Sequence, residues 1–195
     1  MTQRTAVVTA LVLSVLSSPL AALADTVDTR TARDLLFRDD RSEVVRYDTS
    51  GLTDQEIATL TLVAQTQKYY AALAFAPAVG IMAEPTVMSA NYHSIEAARE
   101  AALSGCNERR TGGAECVIAM EVRPQEWEAR DLQLSADATT GFNDDYRRER
   151  GTRAFAISAS PGLWGIGLGE SATTDAISAC QGDADVDDCT VVIAD

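Results

Sequence analysis

The sequence predicts an α+β fold: two ββαβ-like, disulfide-stapled repeats sharing a core, with an N-terminal helix and a helical linker added. Two small-residue apolar runs each end in a proline turn followed by Gly-Ile. They are Tyr70-Ala71-Ala72-Leu73-Ala74-Phe75-Ala76-Pro77-Ala78-Val79-Gly80-Ile81 and Arg153-Ala154-Phe155-Ala156-Ile157-Ser158-Ala159-Ser160-Pro161-Gly162-Leu163-Trp164-Gly165-Ile166. An alanine-rich stretch ending in cysteine follows each run, Ile95 to Cys106 and Ala172 to Cys180. A second cysteine, ten residues later in the first copy and nine in the second, then opens a β-rich run. The two runs are Cys116-Val117-Ile118-Ala119-Met120-Glu121-Val122 and Cys189-Thr190-Val191-Val192-Ile193. Self-similarity of this kind marks a duplicated supersecondary unit.

Residues 1–24 read as a secretory signal. Arg4 gives a positive n-region, Ala6 to Leu16 an apolar run, and Ala22-Leu23-Ala24 a cleavage site before Asp25. The run falls short of the roughly 20 apolar residues that span a bilayer, and no later segment reaches that length. The expected location is therefore periplasmic or extracellular. Residues 25–69 form an N-terminal extension with one helix. Residues 25–34 are polar and expected to be loose, and Leu35-Leu36-Phe37 could anchor a short element. Thr53-Asp54-Gln55-Glu56 is a capping box, and Ile57, Leu60 and Ala64 follow at helical spacing, so a helix runs from Thr53 to Gln67.

Residues 70–123 are the first repeat: strand, turn, short strand, helix, loop, strand. Ser94 is the predicted N-cap of its helix, Glu96 lies in the first turn, and Ala98, Ala101 and Ala102 favour the helix. Residues 124–152 are a charged linker. Leu134, Ala138, Phe142 and Tyr146 recur at helical spacing behind a Ser135 cap, and Arg147, Arg148 and Arg150 are expected to pair with nearby acids. Residues 153–195 are the second repeat, in which Ala176 matches Ala102 and Ile177 matches Leu103.

Four cysteines in an exported chain imply two disulfides with three connectivities open. The repeat favours Cys106–Cys116 and Cys180–Cys189, each from a helix end to a strand start. Closing a loop of about ten residues would contribute about 2–3 kcal/mol.

The second copy, with Ser160-Pro161-Gly162-Leu163-Trp164-Gly165, Ala176, Cys180, Asp188, Cys189 and Val191-Val192, resembles a family of exported bacterial proteins known only as a domain of unknown function. That family shows a Gly-Trp-Gly hairpin and paired cysteines. The first copy lacks the tryptophan and carries about ten extra residues between Gly80 and the helix. The resemblance covers residues 70–123 and 153–195 and implies fold and disulfides, with no catalytic residue.

The chain has 16 basic and 29 acidic residues, a net charge of −13, and signal cleavage removes one further positive charge. Nucleic acid and anionic lipid are poor partners for such a balance. His93 is the only histidine; it stands before a helix N-cap without a Gly-x-Ser-x-Gly nucleophile motif, which places it in a polar loop. One histidine and bridged cysteines do not make a zinc site. Lys68 is the only lysine and lies at a predicted helix end, so a pyridoxal phosphate Schiff base is not expected. Gly165, Gly167 and Gly169 miss the dinucleotide spacing and suit a strand approached closely by another backbone or an aromatic ring. Asp183-Ala184-Asp185-Val186-Asp187-Asp188 starts like a calcium loop but has Asp188 at the glycine position and Ala194 at the glutamate position. Glu126 and Glu128 flank Trp127 in what reads as an exposed linker. No catalytic, metal or cofactor residue is assigned. The expected function is a binding module with a protein or small-molecule partner in the envelope. The alternative is a hydrolase using His93 with nearby carboxylates.

Overall fold

A computed structural model describes residues 26–159 and 162–195; the predicted signal and its cleavage site lie outside the described residues. Among the described residues, seven strands and five helices form two antiparallel sheets with helices on both faces. Helix α1 (Thr29–Leu35) and strand β1 (Ser42–Arg46) lead into α2 (Asp54–Gln65), β2 (Ala71–Phe75), β3 (Val87–Ser89), α3 (Ile95–Arg109) and β4 (Val117–Pro124). After α4 (Ala136–Asp144) come β5 (Arg153–Ile157), β6 (Trp164–Leu168), α5 (Ala172–Gln181) and β7 (Thr190–Ala194).

The first sheet runs β1-β4-β2-β3 and the second β6-β5-β7. Strand β2 is buried along its whole length because a helix covers each of its faces. Ala72 and Ala74 meet Ile95, Ala98 and Ala102 of α3, while Ala71, Leu73 and Phe75 meet Leu60 and Ala64 of α2. The second sheet is layered alike: Ala154 and Ala156 face Ala172 and Ala176 of α5, and Phe155 faces Phe142 and Ala138 of α4. Disulfides join Cys106 to Cys116 and Cys180 to Cys189, each tying the helix on the alanine face to the next strand.

The expected capping box is present, with Thr53 and Glu56 satisfying each other's backbone N–H groups, and Ser135 accepts from the Ala138 N–H at the start of α4. Four sequence expectations need correction. Residues 25–34 are not loose throughout: Asp28 caps α1 by accepting from the Thr31 N–H, and Val27 pairs with Ile193 in parallel. The N-terminal extension holds two helices and a strand, and β1 pairs with β4 through Val44 and Val122. Gly80-Ile81 is not strand like Gly165-Ile166, because Gly80 takes a left-handed turn and the second strand begins only at Val87. The charged linker is a structural layer, since α4 buries Ala138 and Phe142 against the second sheet.

The closest approach between elements is α5 on β6. A Cβ on Gly165 would lie 2.2 Å from the Cys180 amide nitrogen, and one on Gly167 would lie 1.9 Å from the Ala172 carbonyl oxygen. The glycine pair lets helix backbone lie directly on strand backbone.

Candidate functional site

His93 does not lie in a polar loop. It is 4% exposed at the junction of the two halves. Its Nδ1 accepts from the Ser135 N–H at 3.1 Å, and its Nε2–H donates to the Leu163 carbonyl at 2.9 Å. An N–H donor at one nitrogen and a carbonyl at the other admit only the neutral ring. Burial drives its pKa down from 6.5 to about 4, against the backbone oxygens of Leu163 and Gly162 and the Asp188 charge, which pull it up. Neighbouring contacts complete the junction: the Ala136 N–H donates to the Tyr69 carbonyl, and Lys68 pairs with Asp137.

Acid should therefore loosen this junction. A basic group with a depressed folded pKa stabilises the fold fully above its unfolded pKa and loses that contribution as pH falls towards the folded value. Between pH 6.5 and 4 the loss from His93 amounts to about 3 kcal/mol. Urea denaturation across that window should show the drop in the native chain and a flatter profile in His93→Gln. Equal profiles would remove His93 as the cause. Asp195, which Thr29, Arg153 and Tyr146 hold down to about 2 against the opposing effect of burial, loses its own contribution at lower pH.

The other sequence candidates do not converge. Lys68 is taken by Asp137. Gly165 and Gly167 are occupied by α5. The acidic run 183–188 lies between α5 and β7, with Asp188 accepting from the Ser158 hydroxyl at 2.6 Å. Trp127 is not exposed: it is half-buried beside Tyr70, its Nε1–H donates to Gln133, and the Arg123 guanidinium lies 4.9 Å from its ring centroid.

A polar cluster that the sequence did not suggest lies on the α3 side of the first sheet. Glu121 of β4 is 0% exposed, paired in register with Ala72 on one side and Val45 on the other. Arg99 of α3 donates from Nε to Glu121 Oε1 at 2.8 Å, and its Nη2 makes an ion-pair contact of 2.6 Å with the same oxygen. Glu121 Oε2 is left without a hydrogen-bond partner. The Arg99 guanidinium lies 5.8 Å from the ring centroid of Tyr47, which is 45% exposed and caps the cluster. Burial and the adjacent Glu121 carboxylate push the Tyr47 hydroxyl above its ordinary value. Burial alone would lower Arg99, but Glu121 outweighs it and raises the guanidinium.

Two residues along β4, Arg123 pairs with Glu43 at 3.3 Å while its buried Nε has no partner. Tyr70 lies just before β2, and its buried hydroxyl is also unpartnered. Buried polar atoms are nearly always hydrogen-bonded, so three such atoms, on Tyr70 just before β2 and on Glu121 and Arg123 of β4, single this region out. Its mix is a buried carboxylate shared by Arg99 and the Tyr47 hydroxyl, an arginine Nε, a phenol beside the Trp127 indole, and an exposed ring. Such groups bind polar ligands by charge-assisted hydrogen bonds.

No family model, curated protein or solved structure matches the chain.

Proposed function

We infer that this is an exported, non-catalytic binding protein whose ligand site is the Glu121 cluster, carried on the first of two copies of one αββαβ unit. Duplication is supported by spacing. Helix α2 begins as far before β2 as α4 does before β5, and Leu60 and Ala64 stand where Phe142 and Tyr146 stand. A β-bulge falls on the third residue after the second cysteine of each pair, at Ala119 and at Val192.

One observation carries the binding reading. Counting back from Cys180 as from Cys106 puts Thr173 where Arg99 stands, and counting on from the bulge puts Ala194 where Glu121 stands. The second copy thus builds the same layers without the ion pair. A buried ion pair contributes little net stability, so its presence in one copy alone points to a task other than folding. Export rests on residues 1–24 and on the family resemblance, and two disulfides suit an oxidising compartment. Among the described residues no helix is long and apolar enough to cross a membrane. A neutral His93 engaged at both nitrogens supports binding over hydrolysis.

The ligand must reach the buried Glu121 carboxylate past the Tyr47 side chain, bring a donor to Oε2, and bring an acceptor to Arg123 Nε. A small molecule bearing amino and hydroxyl groups meets all three demands. Glucosamine is the probe, with glucose as the comparator lacking the ammonium. Titration followed by 1H–15N NMR should give saturable shifts at Tyr47, Arg99 and Glu121 for glucosamine, weaker for glucose. The Arg99→Thr/Glu121→Ala chain, which carries the second copy's residues, should lose them. No saturable shift with either sugar, or unchanged binding by the double variant, would overturn the reading.

A further inference from the structure

Well apart in character from the Glu121 cluster is a second concentration of polar groups. The chain is strongly acidic, yet Arg33, Arg38, Arg41, Arg130 and Arg147 gather around Phe37. They line two adjoining clefts of about 250 and 430 Å3 that share Leu36, Phe37 and Arg38. These clefts form where the strap between α1 and β1 crosses the end of β4 and the C-terminal end of α4.

We propose that the arginine-lined clefts around Phe37 are a binding site for a multivalent oxyanion, a phosphate- or carboxylate-bearing ligand. Three observations support it. First, Arg130 is fixed in place: its Nη1 donates to the Leu35 carbonyl at 2.9 Å, and its guanidinium lies 3.8 Å from the Phe37 ring centroid. A guanidinium held by a ring and a backbone carbonyl loses little freedom when it takes an anion. Second, the side chains of Arg33 and Arg41 make no hydrogen bond or ion pair among the described residues. Third, like charges repel, and a chain with 29 acids could have dispersed its 16 basic residues among them.

The acids nearby are partly engaged. Asp40 binds Arg38 through two contacts of 3.0 Å, Asp39 accepts from the Thr140 hydroxyl, and Glu128 accepts from Arg130 at 3.1 Å. Glu126 remains in the wall of the first cleft, where its backbone takes a left-handed φ of 59°. With Asp40 paired to Arg38 and Glu128 to Arg130, the five arginines of the two clefts exceed the four acids Asp39, Asp40, Glu126 and Glu128 by one, and Arg33 and Arg41 carry the uncompensated charge. An anion with two or more charged groups would bridge Arg130 to Arg38 or Arg41 by charge-assisted hydrogen bonds.

The test is NMR titration of the oxidised chain with pyrophosphate and, separately, with citrate. The expected result is saturable shifts at Phe37, Arg38, Arg41 and Arg130 with at least one probe. Response to pyrophosphate alone marks a phosphate ligand, to citrate alone a carboxylate ligand, and to both a site selective for charge. Arg38→Ser/Arg41→Ser should weaken binding about tenfold or more, about 1.4 kcal/mol, while Arg109→Ser, away from the clefts, should leave it unchanged. Both arginines are exposed, so circular dichroism should match the native chain. The proposal falls if neither probe saturates, if the double variant binds like the native chain, or if Arg109→Ser weakens binding equally.

Discussion

Gly167→Ala should destabilise the second sheet by about 3 kcal/mol or more, at or above the upper end of the range for overpacked cores. The added Cβ would sit 1.9 Å from the Ala172 carbonyl oxygen and 2.4 Å from the Ala176 amide nitrogen. Neither is the flexible end of a side chain, so relief requires α5 to lift off β6. Two ties oppose that movement: Cys180 is bonded to Cys189 at the start of β7, and Ala172 and Ala176 are packed on Ala154 and Ala156. Denaturation followed through Trp164, whose ring stacks on Phe155 at 5.3 Å, reads the loss directly. Gly105→Ala is the matched control. Gly105 lies inside α3, its Cβ would meet only Val87 side-chain carbons at 3.5 Å or more, and helix propensity favours alanine by up to about 1 kcal/mol. A Gly167→Ala chain as stable as the native one would mean that α5 does not rest on the strand backbone.

Much of this packing was legible because it follows from local chemistry. A serine or threonine cap before residues at helical spacing specifies α2 and α4 almost to the residue. Glycines on alternate positions of a β-rich run signal close backbone approach, and α5 supplies it. The pairing Cys106–Cys116 and Cys180–Cys189 in the structure follows the repeat's own logic. What the sequence hid depends on partners distant in the chain. Helix α1 buries chiefly Ala32, too little apolar surface to show a period, and it is held by a terminal pairing between Val27 and Ile193. The matching placement of α2 and α4 was masked because Leu60 and Ala64 of the one face their sheet where the other has Phe142 and Tyr146. His93 looked solvated because its partners, Ser135 and Leu163, lie far along the chain. The Glu121 cluster left the weakest trace. A lone glutamate in an apolar run and a lone arginine in an alanine-rich helix each read as a solvated face. Only the packing of α3 on β4, with Tyr47 over it, makes them a buried pair. A charge interrupting the second β run, where the other copy has alanine, was the one available signal.

Removing Arg99 should cost much more than removing Glu121 and Arg99 together. In Arg99→Ala the Glu121 carboxylate stays buried between Ala72 and Val45 and loses the Nε donor and the guanidinium charge at Oε1. Stranding a buried charge in this way costs about 3–5 kcal/mol. Glu121→Ala should cost less, because the Arg99 side chain is 37% exposed and its freed guanidinium can turn to water. Arg99→Thr/Glu121→Ala removes both charges and installs the residues of the second copy, so its stability should fall within about 1 kcal/mol of the native chain. Urea denaturation of the four chains gives the double-mutant cycle, with a coupling of at least about 2–4 kcal/mol expected, at or above the upper end for groups in direct contact. The asymmetry separates two roles for the pair. If the double variant is as unstable as Arg99→Ala, the pair is structural and the case for a ligand at Glu121 loses its main support. If the double variant is stable and yet fails to bind glucosamine, the fold and the site have been separated within one chain.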